Sequence, residues 1–397
     1  MSKGILNGIK VLDLTRVVAG PYCGMLLGDM GATVYKVERP KGGDDGRAYG
    51  PYVNGESVYY INFNRSKYGC TLNLKSNEGK EIFKEMVKHV DVVIENYRPG
   101  TMDKLGLGYD VLKEVNPSII YGSVSGFGHS GRYRDRAGYD IIGQAMGGLM
   151  STTGWPDGEE TRTGTPIADV LAGLSMTIGV LASIINRNDT GEGQKVDIAL
   201  VDSVVSAMAN LNLIYLGSGI IPGRIGNRYE STYPYDSFKA SDGNVIIGAG
   251  NTKLYQLLCD VMQRPELKND KRFKTANDRV KNHIEMKNVV EQWSIKHTVK
   301  DIASMLTDAG VPSSPINSVD KVVEDEHISV DREMFPTIEH PVYGKMKVTN
   351  NQIKFNVRKS GPTKPAPLLG EDNEMIFYEL AGISKEEVAK LKEKGVI

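Results

Sequence analysis

The sequence is poor in cysteine and contains no metal-binding motif. Its three cysteines, Cys23, Cys70 and Cys259, are widely separated, which excludes a complete disulfide framework and a Cys-x-x-Cys metal site. We therefore expect a reducing, cytoplasmic location. The six histidines show no pair spaced by four residues and no His-Glu-x-x-His pattern, so we expect no catalytic metal.

The chain also lacks an excess of charge and a long apolar run. Lysine and arginine total 48 against 49 aspartate and glutamate residues, and the charges are scattered. This balance argues against a nucleic-acid-binding surface, so an anionic ligand would need a local basic cluster. The longest uncharged stretch, residues 170–186, is short for a membrane span and contains glycine, serine and threonine. It predicts a buried core helix and no membrane partner.

What is present has the composition of an ordinary globular protein. With 397 residues, 40% hydrophobic and 24% charged, the chain is expected to form two domains, or one large domain with an inserted smaller one. Apolar runs of strand length alternate with helical segments in the first half, which predicts βαβ crossovers and a largely parallel sheet covered on both faces. The predicted fold class is α/β, a Rossmann-like large domain with a smaller α+β domain. The predicted strands are 9–14, 33–38, 91–96 and 118–124, and the predicted helices are 20–29, 78–90 and 109–115.

Basic and amide side chains follow the ends of the predicted strands. In a parallel sheet these positions meet at one rim, where ligands bind. None of the loops contains Gly-x-Gly-x-x-Gly, which argues against a dinucleotide. Each side chain alone could be an ordinary surface residue, but together they favour a phosphate-bearing ligand. They are Arg39, Lys75, Asn96, Arg98 and Lys104.

Asp169 is a single acid near the beginning of an apolar segment that follows Gly164-Thr165-Pro166. An acid in this position is poorly solvated unless a charged or reactive group approaches it, which makes Asp169 a candidate nucleophile. Acidic residues are also favoured in the first turn of helices, where the helix dipole stabilises them. The local sequence leaves both interpretations open.

Five motifs in matching order resemble those of the family III coenzyme A transferases, and the resemblance covers nearly the whole chain. The motifs are VLDLTRVVAGP at 11–21, GATVYKVERP at 31–40, ENYRPG at 95–100, GYD at 138–140 followed by Gln144-Ala145, and PIAD at 166–169.

This resemblance implies an interlocked homodimer that uses coenzyme A as a substrate and needs no redox cofactor. It implies that residues 1–205 begin the large domain, 206–228 form a linker, 229–325 form the small domain, and 326–397 return to the large domain. Asp169 would lie at the thioester. The residues placed around coenzyme A are Val17, Val18, Ala19, Arg39, Leu72, Lys75, Asn96, Tyr97, Arg98 and Lys104.

The implied reaction moves coenzyme A between two carboxylic acids through a covalent intermediate on Asp169. Tyr139 or backbone amides near Gly147-Gly148 are candidate donors to the oxyanion, although Tyr139 could equally be a core tyrosine. Asp140 is expected to orient its neighbours rather than react.

Two alternatives remain, an α-methylacyl-CoA racemase and a non-catalytic coenzyme A-binding protein. Racemases similar to this family have Gly-His-Asp where this chain has Gly138-Tyr139-Asp140. Racemisation needs a second acid/base group, and a tyrosine is a poor one at neutral pH. The best-known oxalate-handling members carry glutamine at the position of Val18, which puts oxalate specificity in doubt. The identities of the donor and acceptor acids stay open.

Overall fold

The computed structural model describes residues 4–397, which form two compact units. The first unit contains the residues up to Leu149, Arg162–Gly219 and His327–Ile397, and the second contains Met150–Thr161 and Ile220–Glu326. The segment Met150–Thr161 therefore groups with the second unit, although the sequence assigns it to the large domain. The Gly226 N–H donates to the Gly154 carbonyl at 2.9 Å, and Arg224 pairs with Glu160 at 2.7 Å.

The strands are short and are numbered along the chain. They are β1 Lys10–Asp13, β2 Thr33–Glu38, β3 Tyr52–Val53, β4 Glu56–Ser57, β5 Lys67–Thr71, β6 Val92–Glu95, β7 Ile120–Ser125, β8 Lys195–Ala199, β9 Tyr235–Lys239, β10 Asn244–Gly248, β11 Ser313–Pro315, β12 Thr337–His340 and β13 Gly344–Lys347.

The helices are numbered in the same way. They are α1 Ala19–Asp29, α2 Val58–Asn64, α3 Asn77–Val87, α4 Thr101–Leu105, α5 Tyr109–Val115, α6 Asp140–Met146, α7 Leu149–Thr152, α8 Ile167–Thr190, α9 Leu200–Ala207, α10 Asn210–Ser218, α11 Thr252–Val261, α12 Ala276–Lys281, α13 His283–Ser294, α14 Val299–Asp308, α15 Val319–Glu324, α16 Asn373–Ala381 and α17 Lys385–Glu393. Single tighter or wider turns occur at Asp45–Ala48, Pro265–Asn269 and His327–Asp331.

Six parallel strands of the first unit form one sheet in the order β5-β2-β1-β6-β7-β8. The α/β class with a parallel sheet is therefore confirmed. The predicted strand 33–38 is found unchanged, and the other three predicted strands are found with their ends shifted by one or two residues. The edge strand β8 was not predicted, because its sequence, Lys-Val-Asp-Ile-Ala, has two charged side chains and a half-exposed pattern.

Side chains of successive strand residues enter two different cores, one on each face of the sheet. Val11 and Val34 face the core formed with α1 and α8. Leu12 and Tyr35 face the opposite core, which α3 and the C-terminal helices α16 and α17 complete. Helices therefore cover both faces, and the strand ends of the sheet remain accessible to a ligand.

Helix α8 packs on the sheet through one face, on which Ala172, Met176 and Val180 are fully buried. By length and composition alone it could cross a membrane, and α9 with α10, bent by 74°, could form a second such segment. Gly173 lets α8 approach the start of α1, because a β-carbon at this position would lie 2.6 Å from the Ala19 carbonyl oxygen. The close contact fixes the beginning of α8 beside the loop that precedes α1.

The second unit contains the three-stranded antiparallel sheet β11-β10-β9 packed against helices α11 to α14. Strands β9 and β10 form a hairpin, paired in register from Asn244 and Lys239 to Gly248 and Tyr235. Arg279 is fully buried and donates to the carbonyls of Tyr233 and Gly250, each at 2.8 Å, which ties the helices to the sheet.

Candidate active site

Asp169 lies in the first turn of α8, where the preceding Pro166 provides no side-chain cap. A carboxylate from another helix takes that place: the Asp140 Oδ1 atom accepts from the Ala168 N–H at 2.8 Å and from the Asp169 N–H at 3.3 Å. The other Asp140 oxygen accepts from the Gln144 side chain at 2.6 Å. Asp140 therefore caps the helix that carries Asp169.

The cap changes the electrostatics that the sequence predicts for Asp169. Burial, and secondarily the charge of Asp140, raise the pKa of the Asp169 carboxyl to about 7. The N–H groups of Ala168 and Asp169 donate to Asp140, so they do not lower this pKa through hydrogen bonds to the Asp169 carboxylate. Within residues 4–397 the Asp169 side chain has neither a hydrogen bond nor an ion pair, which leaves its oxygens available to a substrate.

Asp169 opens onto a cavity of about 480 Å³ in the first unit, called here the Asp169 cavity. Several predicted site residues come together in its wall. They are Val17, Val18, Ala19, Asn96, Tyr97, Arg98, Tyr139 and Asp169.

Tyr139 lies at the rim of the Asp169 cavity with 72% of its surface exposed, so it is not a core tyrosine. The residue before it, Gly138, sits so close to Gly126 that a β-carbon on Gly138 would lie 2.5 Å from the Gly126 Cα. Gly147 and Gly148 do not support the predicted oxyanion role. Their N–H groups donate to the carbonyls of Gly143 and Ala145 at the end of α6.

A second cavity of about 690 Å³, the Lys75 cavity, adjoins the first, because Arg16 and Tyr97 line both. Arg39, Leu72 and Lys75 line it, as the resemblance implies for the coenzyme A site. The predicted ligand residue Lys104 is exposed on α4 and lines neither cavity. The two cavities together offer a continuous site for an elongated molecule.

Cationic side chains at the junction of the cavities are held by one acid. Arg16 pairs with Asp45 at 2.9 Å, and Arg39 also contacts this carboxylate. Arg16 additionally stacks on Tyr97, with 4.8 Å between the guanidinium carbon and the ring centre. Because Asp45 is partly exposed, an incoming phosphate can replace it as the partner of these arginines.

The Asn96 side chain, which lines the Asp169 cavity, is also bonded to the backbone of a neighbouring loop. Its side-chain oxygen accepts from the Arg16 N–H and its amide donates to the Arg16 carbonyl, both at 2.8 Å. Asn96 thus holds the backbone of the loop between β1 and α1. One of its two amide hydrogens remains for a ligand.

Three residues near Asp169 were not selected from the sequence, namely Tyr49, Tyr59 and Arg136. Tyr49 and Arg136 line the Asp169 cavity, and the Tyr59 ring stacks edge-on against Tyr49 at 5.5 Å between ring centres. Burial and then the charge of Asp169 raise the pKa of Tyr59 to about 12, which indicates that its hydroxyl is near the Asp169 carboxylate. No periodicity in the sequence signals these positions, because they lie in irregular segments and a short helix.

Residues 4–397 contain no cluster of three or more histidine, cysteine, aspartate or glutamate side chains that could hold a metal ion. All three cysteines are buried thiols.

Comparisons with known proteins agree on one family. The model of CoA-transferase family III matches residues 6–373. Succinyl-CoA:glutarate CoA-transferase of Mus musculus is 36% identical over 393 residues, which cover 99% of this chain and 90% of the mouse protein. Acetyl-CoA:oxalate CoA-transferase of Acetobacter aceti is 40% identical over 381 residues, 96% of each chain. A CAIB/BAIF family protein from Brucella suis superimposes with a TM-score of 0.85 at 38% identity, covering 96% of this chain and 100% of that one.

Proposed function

The chain belongs to CoA-transferase family III and is a CoA-transferase, and we propose that it moves coenzyme A between two carboxylic acids through a covalent intermediate on Asp169. The observation that supports this role is a half-buried carboxylate without a hydrogen-bond partner, in a cavity next to a larger one lined by Arg39 and Lys75. The Lys75 cavity would hold the nucleotide and the Asp169 cavity the thioester.

In the first half of the reaction, an Asp169 oxygen attacks the carbonyl of the donor thioester. The carbon–sulfur bond breaks, giving a mixed anhydride and the coenzyme A thiolate. The thiolate then attacks the Asp169 carbonyl of the anhydride, which releases the donor acid and leaves an aspartyl-CoA thioester. Each step exchanges one acyl bond for another, so no proton or electron donor is needed.

The acceptor acid reverses these steps. Its carboxylate attacks the aspartyl-CoA thioester, forming a second mixed anhydride and freeing the thiolate. Attack of the thiolate on the acceptor carbonyl gives the new acyl-CoA and regenerates the Asp169 carboxylate. The donors proposed for the oxyanions are the Tyr139 hydroxyl and the N–H groups of Ala19 and Gly20 in the first turn of α1, which have no partner within the helix.

A racemase is less well supported by the same cavity. Proton exchange on both sides of an α-carbon requires two acid/base groups. Among the described residues that line the Asp169 cavity there is no histidine, and Tyr139 occupies the rim.

The test of the nucleophile compares Asp169→Ala with the wild type. We expect Asp169→Ala to abolish exchange of coenzyme A between two acids, with binding of coenzyme A retained. Wild type incubated with an acyl-CoA should gain a hydroxylamine-sensitive mass on the peptide that contains Asp169.

A matched control is Asp189→Ala, which removes an exposed acid from the other end of α8. This variant should keep both exchange and the adduct. Substantial turnover by Asp169→Ala, or no adduct during wild-type turnover, would contradict the covalent role.

The acceptor is proposed to be a dicarboxylic acid. Both relatives described above act on one, glutarate in the mouse enzyme and oxalate in the Acetobacter enzyme. Arg98 and Arg136 line the Asp169 cavity and can neutralise a second carboxylate, whereas Arg39 and Lys75 serve the other cavity. A panel of mono- and dicarboxylic acids of equal chain length tests this, and better turnover of the monocarboxylates would refute it.

The active form is proposed to be a homodimer. Two helices of the first unit expose large apolar side chains: Ile178 and Ile185 on α8 are each 67% exposed, and Leu216 on α10 is 75% exposed. Apolar surface of this kind is typical of obligate interfaces. Sedimentation equilibrium should give twice the mass of one chain, and a stable monomer would contradict the proposal.

A further inference from the structure

Val17 has an unusual backbone conformation. Its φ angle is +69°, in the left-handed region that β-branched residues rarely adopt. Such a residue persists only when its surroundings hold it in place. Val17 also lines the Asp169 cavity, together with Val18 and Ala19 at the start of α1. The strained residue is therefore part of the wall that faces the reacting groups.

Side chains hold the backbone on the N-terminal side of Val17. The Asp13 carboxylate accepts from the Thr15 N–H at 2.8 Å, and Lys36 donates to the Thr15 carbonyl. As described above, Asn96 binds both the N–H and the carbonyl of Arg16. Thus four successive backbone polar groups are bonded to side chains from three different strands or strand ends.

The last bond of this series is made by Asp44 and acts on Val17 itself. The Asp44 Oδ1 atom accepts from the Val17 N–H at 3.0 Å and from the Gly46 N–H at 2.8 Å. The Oδ2 atom accepts from Lys36 at 2.8 Å, and both side chains of this ion pair are buried. Asp44 therefore has a fixed position, set by a buried lysine, from which it holds the Val17 peptide.

We propose that Asp44 is a positioning residue for the binding of acyl-CoA: by holding the Val17 N–H, it keeps the Thr15–Val17 loop in the conformation that receives the substrate. Without this bond, Val17 would relax to a common backbone conformation and the wall of the Asp169 cavity would change. The proposal rests on the proposed function in one respect, that acyl-CoA binds in the Asp169 cavity.

The decisive experiment is a double-mutant cycle of Asp44→Ala and Val17→Gly. Glycine adopts positive φ without strain, so it should not need Asp44 to stay in place. In the wild-type background, Asp44→Ala should raise the KM for acyl-CoA roughly 5- to 150-fold. This factor is the ratio of relaxed to competent loop conformations that the usual strain energy of one such residue produces. The kcat at saturation should be nearly unchanged, because bound substrate restores the competent conformation. In the Val17→Gly background the same change should raise KM less than about 3-fold.

A purely structural role for Asp44 predicts a different result. Its removal would then raise KM by the same factor in both backgrounds, and this outcome would overturn the proposal. Asp29→Asn is the matched control, because Asp29 is equally buried, pairs with Arg65 at 2.8 Å and lines neither cavity. It should lower the melting temperature and leave KM unchanged, whereas a KM increase like that of Asp44→Ala would also overturn the proposal.

Hydrogen exchange of the unliganded wild type tests the same contact without a variant. The amides of residues 14–17 should exchange slowly although the loop has no regular secondary structure, because each donates to a buried or half-buried acceptor. Hydrogen exchange of these amides at the rate of a solvated loop would refute the positioning role of Asp44, even if Asp44→Ala fails to fold. If the wild type does not transfer coenzyme A between acids, the proposed function is refuted, but the hydrogen-exchange result still tests how the loop is held.

Discussion

The first chemical step should depend on pH through Asp169. Burial and the charge of Asp140 raise the pKa of this carboxyl to about 7, and only the ionised form is nucleophilic. The rate of adduct formation should therefore fall about tenfold for each pH unit below 7 and become constant above roughly pH 8. An aspartate with the ordinary pKa of 3.8 would give no change in rate across this range.

Replacing Asp140 with asparagine tests the origin of the shift. The pKa rises from 3.8 to about 7, and burial is the larger of the two causes. The charge of Asp140 therefore accounts for less than half of the shift, so Asp140→Asn should lower the pKa of Asp169 by at most about 1.6 units. At pH 6 the wild type should react at roughly one tenth of its plateau rate, and the variant at up to about four fifths of its own.

The plateau itself should be lower in Asp140→Asn. Gln144 donates to an Asp140 oxygen, and in the variant the new amide group at position 140 would face the Gln144 amide donor, so this hydrogen bond, worth about 1 kcal/mol, is lost and the cap is held less firmly. Rapid-quench measurement of the hydroxylamine-sensitive adduct from pH 5 to 8.5 separates the two effects. The coenzyme A phosphate titrates in both enzymes and cancels in the comparison.

Asp110→Asn provides the control, since Asp110 is a first-turn acid of α5 outside both cavities. Its profile should match the wild type. A wild-type rate that is constant between pH 5 and 8, or an unchanged midpoint in Asp140→Asn, would refute the electrostatic argument.

Two further predictions concern stability. Glu95 is buried, and burial raises its pKa from 4.5 to about 8, so the folded state holds a proton that the unfolded state loses. The free energy of unfolding of the wild type should thus fall by about 2 to 5 kcal/mol between pH 4.5 and 8, and that of Glu95→Gln, measured by urea unfolding, should lack this fall. The same pH dependence in both proteins would contradict a protonated Glu95 in the folded state. Gly173→Ala places a β-carbon 2.6 Å from the Ala19 carbonyl oxygen. It should lower the free energy of unfolding by about 1 to 3 kcal/mol and reduce the exchange of coenzyme A between acids. Gly217→Ala, with nothing within 4 Å, is its control, and equal melting temperatures for the two variants would refute the close contact.

The sheet could be predicted because its strands are buried on both faces and read as apolar runs. The strand 33–38 is found as predicted, and the amphipathic helix 78–90 is found as Asn77–Val87, capped by Ser76. Strand β8 and the grouping of Met150–Thr161 could not be predicted in this way. Their positions depend on pairing with distant residues, such as Ala199 with Ser125, rather than on a local pattern.

The site could be predicted by residue type but not by role. Loop ends after parallel strands converge, so Asn96 and Arg98 were expected at one rim, and they line one cavity together with Val17, which only the family resemblance places there. The bonds of Asn96 to the Arg16 backbone could not be inferred, since they depend on two loops 80 residues apart. The positive φ of Val17 is still less predictable, because valine is among the residues least suited to it.

The acids around the Asp169 cavity explain why one of them is suited to react. Asp13 and Asp44 are paired with buried lysines and hold the loop before α1, and Asp140 caps α8. Asp45 pairs with arginines at the edge of the cavity. Within residues 4–397, the carboxylate of Asp169 has no such partner, and burial, together with the charge of the acid that caps its helix, raises its pKa. The same arrangement that orders the cavity therefore leaves one weakly solvated carboxylate, the proposed nucleophile, which is partly protonated at neutral pH.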